Sequence, residues 1–192
     1  ANNPVDPQNT AIATGGDGGQ GGDGFFLFGN AGNGGAGGDA TASALTVQSG
    51  SANPAIAIAT GGNGGDAGTP GLGGAPANGG FGGNATANAQ FVNALNPQNI
   101  AVTATAAGGT GGASIDGGFA GNGGIADAMA SAISGSGDVS VTANQIGGNG
   151  GDGTLGVSAS SGGNGAASVM TNQVFGITTG VLTLNQNARS EE

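Results

Sequence analysis

Apolar and polar residues alternate along this chain in short runs, and each alternation stops at a stretch of glycine. Ala11-Ile12-Ala13-Thr14 runs into Gly15-Gly16, and Ala57-Ile58-Ala59-Thr60 runs into Gly61-Gly62 in nearly the same words. A period of two is the mark of a strand with one covered face. It predicts strands at 10–14, 41–48, 55–60, 86–94, 100–105, 127–134, 139–144, 169–177 and 181–186. Between glycine stretches the strands come in twos, joined by Gly, Asn, Pro and Ser at 49–54, 95–99, 135–138 and 178–180. Short joints of that composition predict antiparallel hairpins. Several faces are almost pure alanine (Ala55, Ala57, Ala59; Ala85, Ala87, Ala89; Ala128, Ala130, Ala132), which permits close sheet stacking. Ile56 with Ile58, Ile100 with Val102, Val139 with Val141 and Leu182 with Leu184 are expected on the opposite faces, as an ordinary core.

The glycine stretches carry a different period. Residues 61 to 84 parse as GGN-GGD-AGT-PGL-GGA-PAN-GGF-GGN, and the same frame reads GGD-GGQ-GGD from Gly15 and GGT-GGA-SID-GGF from Gly108. Four such blocks begin at Gly15, Gly61, Gly108 and Gly147, at steps of 46, 47 and 39 residues. Three residues per turn, with a rise of about 3.1 Å, is the extended helix of polyproline, which makes no internal hydrogen bonds. Its backbone groups must bond sideways, so glycine in two slots of three predicts a bundle of polyglycine-II helices, with the third slot facing water. Val is expected to disrupt packing at Gly64 or Gly111, and substitutions at Asn63 or Thr110 to do far less. Collagen is excluded, because only six residues are proline.

The expected fold is therefore all-β without α-helix: antiparallel β-hairpins alternating with polyglycine-II helical hairpins in one repeat-built domain, 1–192. The β zone comprises 9–14, 41–60, 86–105, 127–146 and 169–187. The Gly-rich zone comprises 15–39, 61–84, 108–125 and 147–166.

Composition narrows the function. Glycine makes up 48 of 192 residues, and charged residues only 6%, so side-chain burial cannot be the main source of stability. Formal charge is −10 and Arg189 is the single basic residue, which argues against nucleic acid or anionic membrane as partner. No stretch has the ~20 apolar residues of a membrane-spanning helix, so no membrane insertion is expected. With no His, Cys, Tyr, Trp or Lys, the usual nucleophiles and general bases are missing, and an enzyme is not expected. Asp17, Asp23, Asp39, Asp66 and Asp152 recur at matching places and are expected on a solvated outer face. No cofactor is expected; calcium is the one candidate, since Gly147 to Leu155 approaches the calcium-binding nonapeptide G-G-x-G-x-D-x-U-x with its apolar residue one place late. The start at Ala1-Asn2-Asn3-Pro4 reads as a mature protein after leader removal.

The GGNGG, GGDGG and GNGGAGG runs resemble the glycine-rich repetitive surface proteins of bacteria, including the PGRS regions of mycobacterial PE-PGRS proteins. Their triplets are similar to those of polyglycine-II bundles, among them antifreeze proteins and the tip adhesins of some phages. The resemblance covers the four blocks and implies an extracellular or cell-surface setting; the interleaved strand pairs depart from it.

Together these features predict a secreted structural subunit that joins copies of itself into a fibre, pilus-like filament or matrix. Sheet edges at Asn9, Thr10, Ala11, Ile12, Ala13 and Thr14 and at Val181, Leu182, Thr183 and Leu184 are the expected joining strands. Phe25, Phe26, Leu27 and Phe28 form an apolar tip suited to a second contact, with Leu72, Phe81, Ile115, Phe119, Leu155 and Val157 expected in the same layer. The N-terminal strand, entering its block without a hairpin partner, is the expected donor, and deleting residues 1–14 is expected to abolish assembly. The alternative is an ice-binding protein or adhesin using a flat face or the loop tips, with Thr14, Thr60, Thr103 and Thr105 as candidates.

Overall fold

The computed structural model describes residues 9–47, 53–95, 97–154, 156 and 158–191. The N-terminal lead with its prolines, the joint at 49–52, Asn96, Leu155 and Val157 lie outside the described residues. Among the described residues nine strands are present: β1 (Asn9–Thr14), β2 (Ala40–Thr46), β3 (Ala55–Thr60), β4 (Ala85–Asn93), β5 (Ile100–Ala107), β6 (Ala126–Ser134), β7 (Val139–Ile146), β8 (Val174–Ile177) and β9 (Leu182–Arg189). No helix occurs among the described residues.

The pairing differs from the expected hairpins. Every ladder among the described residues is parallel, in two sheets ordered β1-β3-β5-β7-β9 and β2-β4-β6-β8. Strands that follow one another across a short joint, such as β4 and β5, lie in opposite sheets and face each other instead of sharing a ladder. The chain is therefore a flattened coil. Each turn runs along one sheet, out on a glycine arm, back on a second arm and along the other sheet. Coil 1 holds β1 and β2, coil 2 β3 and β4, coil 3 β5 and β6, coil 4 β7 and β8, and β9 begins a fifth.

Two physical reasons favour this over hairpins. A hairpin would set both alanine faces of a pair on one side of one sheet, needing another layer to cover them, whereas an arch turns them toward each other. Stacking coils in parallel also brings like onto like: Ala11 beside Ala57, Thr14 beside Thr60 and Ala44 beside Ala89. The recurrence of AIATGG was a stacking signal.

The core tapers. Next to the glycine arms it is almost all alanine, with Ala57, Ala59, Ala87, Ala104, Ala106, Ala128 and Ala143 buried, and Gln145 takes the corresponding place on β7. Toward the arches it widens to take Phe91, Ile100, Val102, Val139 and Val141. Ile100, Val102, Val139 and Val141 thus share the alanine core, contrary to the expected two-faced strands, while Ile56 and Ile58 point outward and are half-buried. Taper follows from the arms, because glycine backbones that bond directly to one another hold the two layers at backbone contact and only small side chains fit in the next rows.

Candidate functional site: the arms and the ends of the coil stack

The arms obey one bonding rule for each slot of the triplet. First-slot N–H groups donate to the next coil: Gly15, Gly18, Gly21 and Gly24 to the carbonyls of Thr60, Asn63, Asp66 and Thr69, at 2.8 to 2.9 Å. Second-slot N–H groups bond across the two arms: Gly32, Gly35 and Gly38 donate to Gly22, Gly19 and Gly16, while Gly62, Gly65 and Gly68 donate to Gly38, Gly35 and Gly32 of the coil below. Coils 2, 3 and 4 repeat this with Gly80, Gly83, Gly109, Gly112, Gly121, Gly124, Gly148 and Gly151. Such lateral bonding at every third residue is what a backbone without internal hydrogen bonds requires.

Glycine serves these arms by lacking a side chain. Among the described residues positive φ occurs at Gly73 and Gly117 near the arm tips, and at the non-glycines Phe28, Asp116 and Asn172. Elsewhere the issue is space, since a Cβ on Gly64 would strike the carbonyl of Gly80 and one on Gly111 that of Gly121.

The third slot is more than a wet face. Its outward N–H is met by a side chain from the coil below: Asp17 Oδ1 accepts from Asn63 N–H at 2.7 Å, Asp23 from Thr69, Asn33 from Asn78, Asp39 from Asn84 and Asp66 from Ala113. Asn63 Oδ1 in turn accepts from both the N–H and the hydroxyl of Thr110. Asn78, Asn84 and Asn122 extend the ladders to Phe119, Ile125 and Asn164. These Asp and Asn residues satisfy backbone donors at an exposed surface, which explains their recurrence. The repeated offset was visible in the sequence, but only the parallel stack shows what lies one coil away.

The expected assembly residues separate into distant places. Asn9 to Thr14 form β1, one edge of the five-stranded sheet, paired with β3 and therefore not lacking a partner as the count of hairpins implied. The Asn9 amide is buried and donates to the Leu45 carbonyl and the Thr46 hydroxyl of β2, tying the two sheets at this edge. Leu182, Thr183 and Leu184 open β9 at the opposite edge, and Val181 just before it donates its N–H to Asp138 Oδ1. Three strands lie between β1 and β9, so the two do not form one site.

Phe25, Phe26, Leu27 and Phe28 cap the arms of coil 1, strongly exposed, with Leu27 bridged to Leu72 of coil 2. The proposed tip layer holds for that pair. Phe81 instead sits on the returning arm, its carbonyl accepting from Gly37; Phe119 bridges Ser161, and Ile115 is half-buried. Among the described residues no three Asp or Glu side chains group together to hold a metal ion, and Asp152 stands on the outer face of coil 4.

No known protein family matches the sequence, and no curated protein matches it. Among solved structures the chain is similar to a springtail antifreeze protein from Granisotoma rainieri, a nine polyproline type II helical bundle whose crystal waters match the ice lattice. The two are 24% identical over 86% of this chain and 90% of that one, with a TM-score of 0.23. At that score the architecture above stands on its own bonding pattern.

The remaining geometry concerns the ends of the stack. Coil 1 exposes β1 and β2 as sheet edges, and the other end exposes β8 and β9. Neither β1 nor β2 carries a lysine, proline or charge that would blunt its edge. Five strands face four, and β9 is met on its inner side only by the short β8, at Gly176: Leu182 and Leu184 remain 40% and 45% exposed, although their ladder neighbours Val139 and Val141 are buried.

Proposed function

We propose that this chain is a non-enzymatic, secreted or cell-surface structural subunit that assembles with copies of itself into a fibre or matrix. The observation that supports it is the pair of stack ends left uncovered among the described residues. Stacked-coil proteins that remain single need capping elements with a polar outer face, and here the first coil ends in two unguarded sheet edges. The acidic surface keeps free subunits soluble before they meet. Sedimentation velocity across a concentration series, with negative-stain microscopy of the same samples, tests the reading. Concentration-dependent rods of uniform width are expected, and a monomer at every concentration overturns it.

A second reading rests on the outward face of the five-stranded sheet. Its registered rows place Thr10, Ile56, Thr103 and Thr142 side by side, and next to them Ile12, Ile58, Thr105 and Asn144. Thr14 and Thr60 pair in a third row. A flat array of methyl and hydroxyl groups suits an ice or crystal surface. Thermal hysteresis that disappears in Thr103→Lys is the expected result on this reading, and its absence in the unaltered protein removes it.

A further inference from the structure

The first and last coils are complementary residue by residue. Gly16, Gly19 and Gly22 are exposed, and nothing lies within 4 Å of where a Cβ would stand on any of them. Their counterparts one coil up, Gly62, Gly65 and Gly68, are buried, and a Cβ there would run into the carbonyls of Gly16, Gly19 and Gly22. Nothing in the described chain therefore requires glycine at 16, 19 and 22, yet the period is kept. Among the described residues the N–H groups of these three have no backbone acceptor, although their counterparts all do.

The missing acceptors are on the other end. Carbonyls of Gly35, Gly80 and Gly121 each accept from a second-slot glycine one coil up, and so do those of Gly38, Gly83 and Gly124. The fourth member of each series, Gly163 and Ala166, has no backbone donor among the described residues. Gly18, Gly64 and Gly111 each donate to the coil above, while Gly150 has no acceptor there. Asn149 and Asp152 stand one rung above Thr110 and Ala113, on the outer face where Asn63 and Asp66 hold a neighbour's N–H. Carried one coil further, the rule seats a second copy's Gly16 and Gly19 N–H on the Ala166 and Gly163 carbonyls. It also places the Gly150 N–H on that copy's Asp17 carbonyl.

One position conflicts. β9 already fills the fifth level of its sheet, where the second copy's β1 would lie, and Ser190 and Glu191 carry it over the start of the outgoing arm, beside Asn149 and Gly150, so that they must swing aside for that copy's Gly15 and Gly16; the opposite sheet and the rest of both arms stop at the fourth. The two strands are not equal competitors: β9 is held along eight registered residues of β7, whereas β1 is held along six of β3 and buries inward little beyond Asn9, Ala11 and Ala13. The geometry points to an end-to-end union of two copies in which β9 of one takes the place of β1 in the next, pairing with that copy's β3 while its β2 covers Leu182 and Leu184. This inference rests on the assembly reading and specifies its joint.

The chain has no cysteine, so introduced thiols report the joint in the full-length protein. Asp17→Cys mixed with Asn149→Cys should give disulfide-linked dimers on oxidation, and neither alone should. Asn185→Cys mixed with Ile56→Cys should also link, because the seat of Thr10 lies beside Ile56 and the register brings Asn185 into it. Gly19→Val should leave the monomer's melting curve unchanged and raise the critical concentration for assembly by about tenfold or more. An unaltered chain that stays monomeric sinks the assembly reading itself. Assembly that persists in Gly19→Val without the Asp17–Asn149 link shows that copies join, but not here. Linkage of Asn185→Cys to Thr10→Cys in place of Ile56→Cys shows β1 retained and overturns the exchange.

Discussion

Two glycines in the same slot, one coil apart, should respond to the same substitution in opposite ways. Gly65 is buried, donates to the Gly35 carbonyl at 2.8 Å and accepts from Gly80 at 2.8 Å. A Cβ on it would overlap the carbonyl of Gly19, which is backbone and cannot swing aside. Relief requires coils 1 and 2 to part locally, breaking or stretching the bond from Gly65 N–H to the Gly35 carbonyl. Leaving two buried groups unsatisfied costs about 1 to 3 kcal/mol each, and the forced displacement adds about 1 to 3 kcal/mol. Gly65→Ala should therefore destabilise by roughly 3 to 9 kcal/mol, a large share of the ~5 to 15 kcal/mol that holds a typical domain. Gly19→Ala meets nothing within 4 Å and should lie within about 0.5 kcal/mol of the unaltered chain. It could even gain slightly, because alanine restricts the unfolded chain. Urea denaturation followed by circular dichroism, at a concentration where both variants are monomeric, measures the difference. Equal destabilisation, or none in either, would refute the claim that these glycines exist for close backbone approach.

Other outcomes follow from the same bonding. Asn63→Ala removes the acceptor of two Thr110 bonds and should destabilise by about 1 kcal/mol, whereas Asp17→Asn keeps an Oδ1 for Asn63 and should be nearly neutral in the same urea assay. Hydrogen exchange should be fast at Gly16, Gly19 and Gly22 in the monomer and slow at Gly62, Gly65 and Gly68, with Gly16 and Gly19 gaining protection on assembly. Leu182→Ser with Leu184→Ser removes the apolar face that a second copy's β2 would cover and should weaken assembly while leaving the β7–β9 ladder, measured by exchange in the monomer, intact.

Most strand positions were legible because period two and period three are local properties, readable within a few residues at Ala55–Thr60 or Gly61 to Asn84, although the strand expected over 169–177 is confined to Val174–Ile177. Direction of pairing was not. A joint such as 135–138 suits a hairpin or an arch equally well, and the difference lies in whether β6 and β7 share a ladder or face one another. A clue was present in the identity of residues 11–16 and 57–62, since identical segments stack in register when they run parallel. The candidate edges at β1 and β9 could be named from the sequence, but their places at opposite edges of one sheet could not.

The sequence alone determined where the backbone must bond sideways, because glycine in two slots of three removes every side chain that could shield those N–H and C=O groups, and it determined that alanine would line the layer next to them. Tertiary structure decided which groups they reach. Asp17, Asn63 and Thr110 lie 46 and 47 residues apart, and only the stacking of coils turns that spacing into neighbouring rungs of one ladder. Among the described residues the same stacking leaves the Gly16, Gly19 and Gly22 N–H groups without a backbone acceptor at one end and the Gly163 and Ala166 carbonyls without a backbone donor at the other, since a repeated bonding rule ends with one unmatched row at each end.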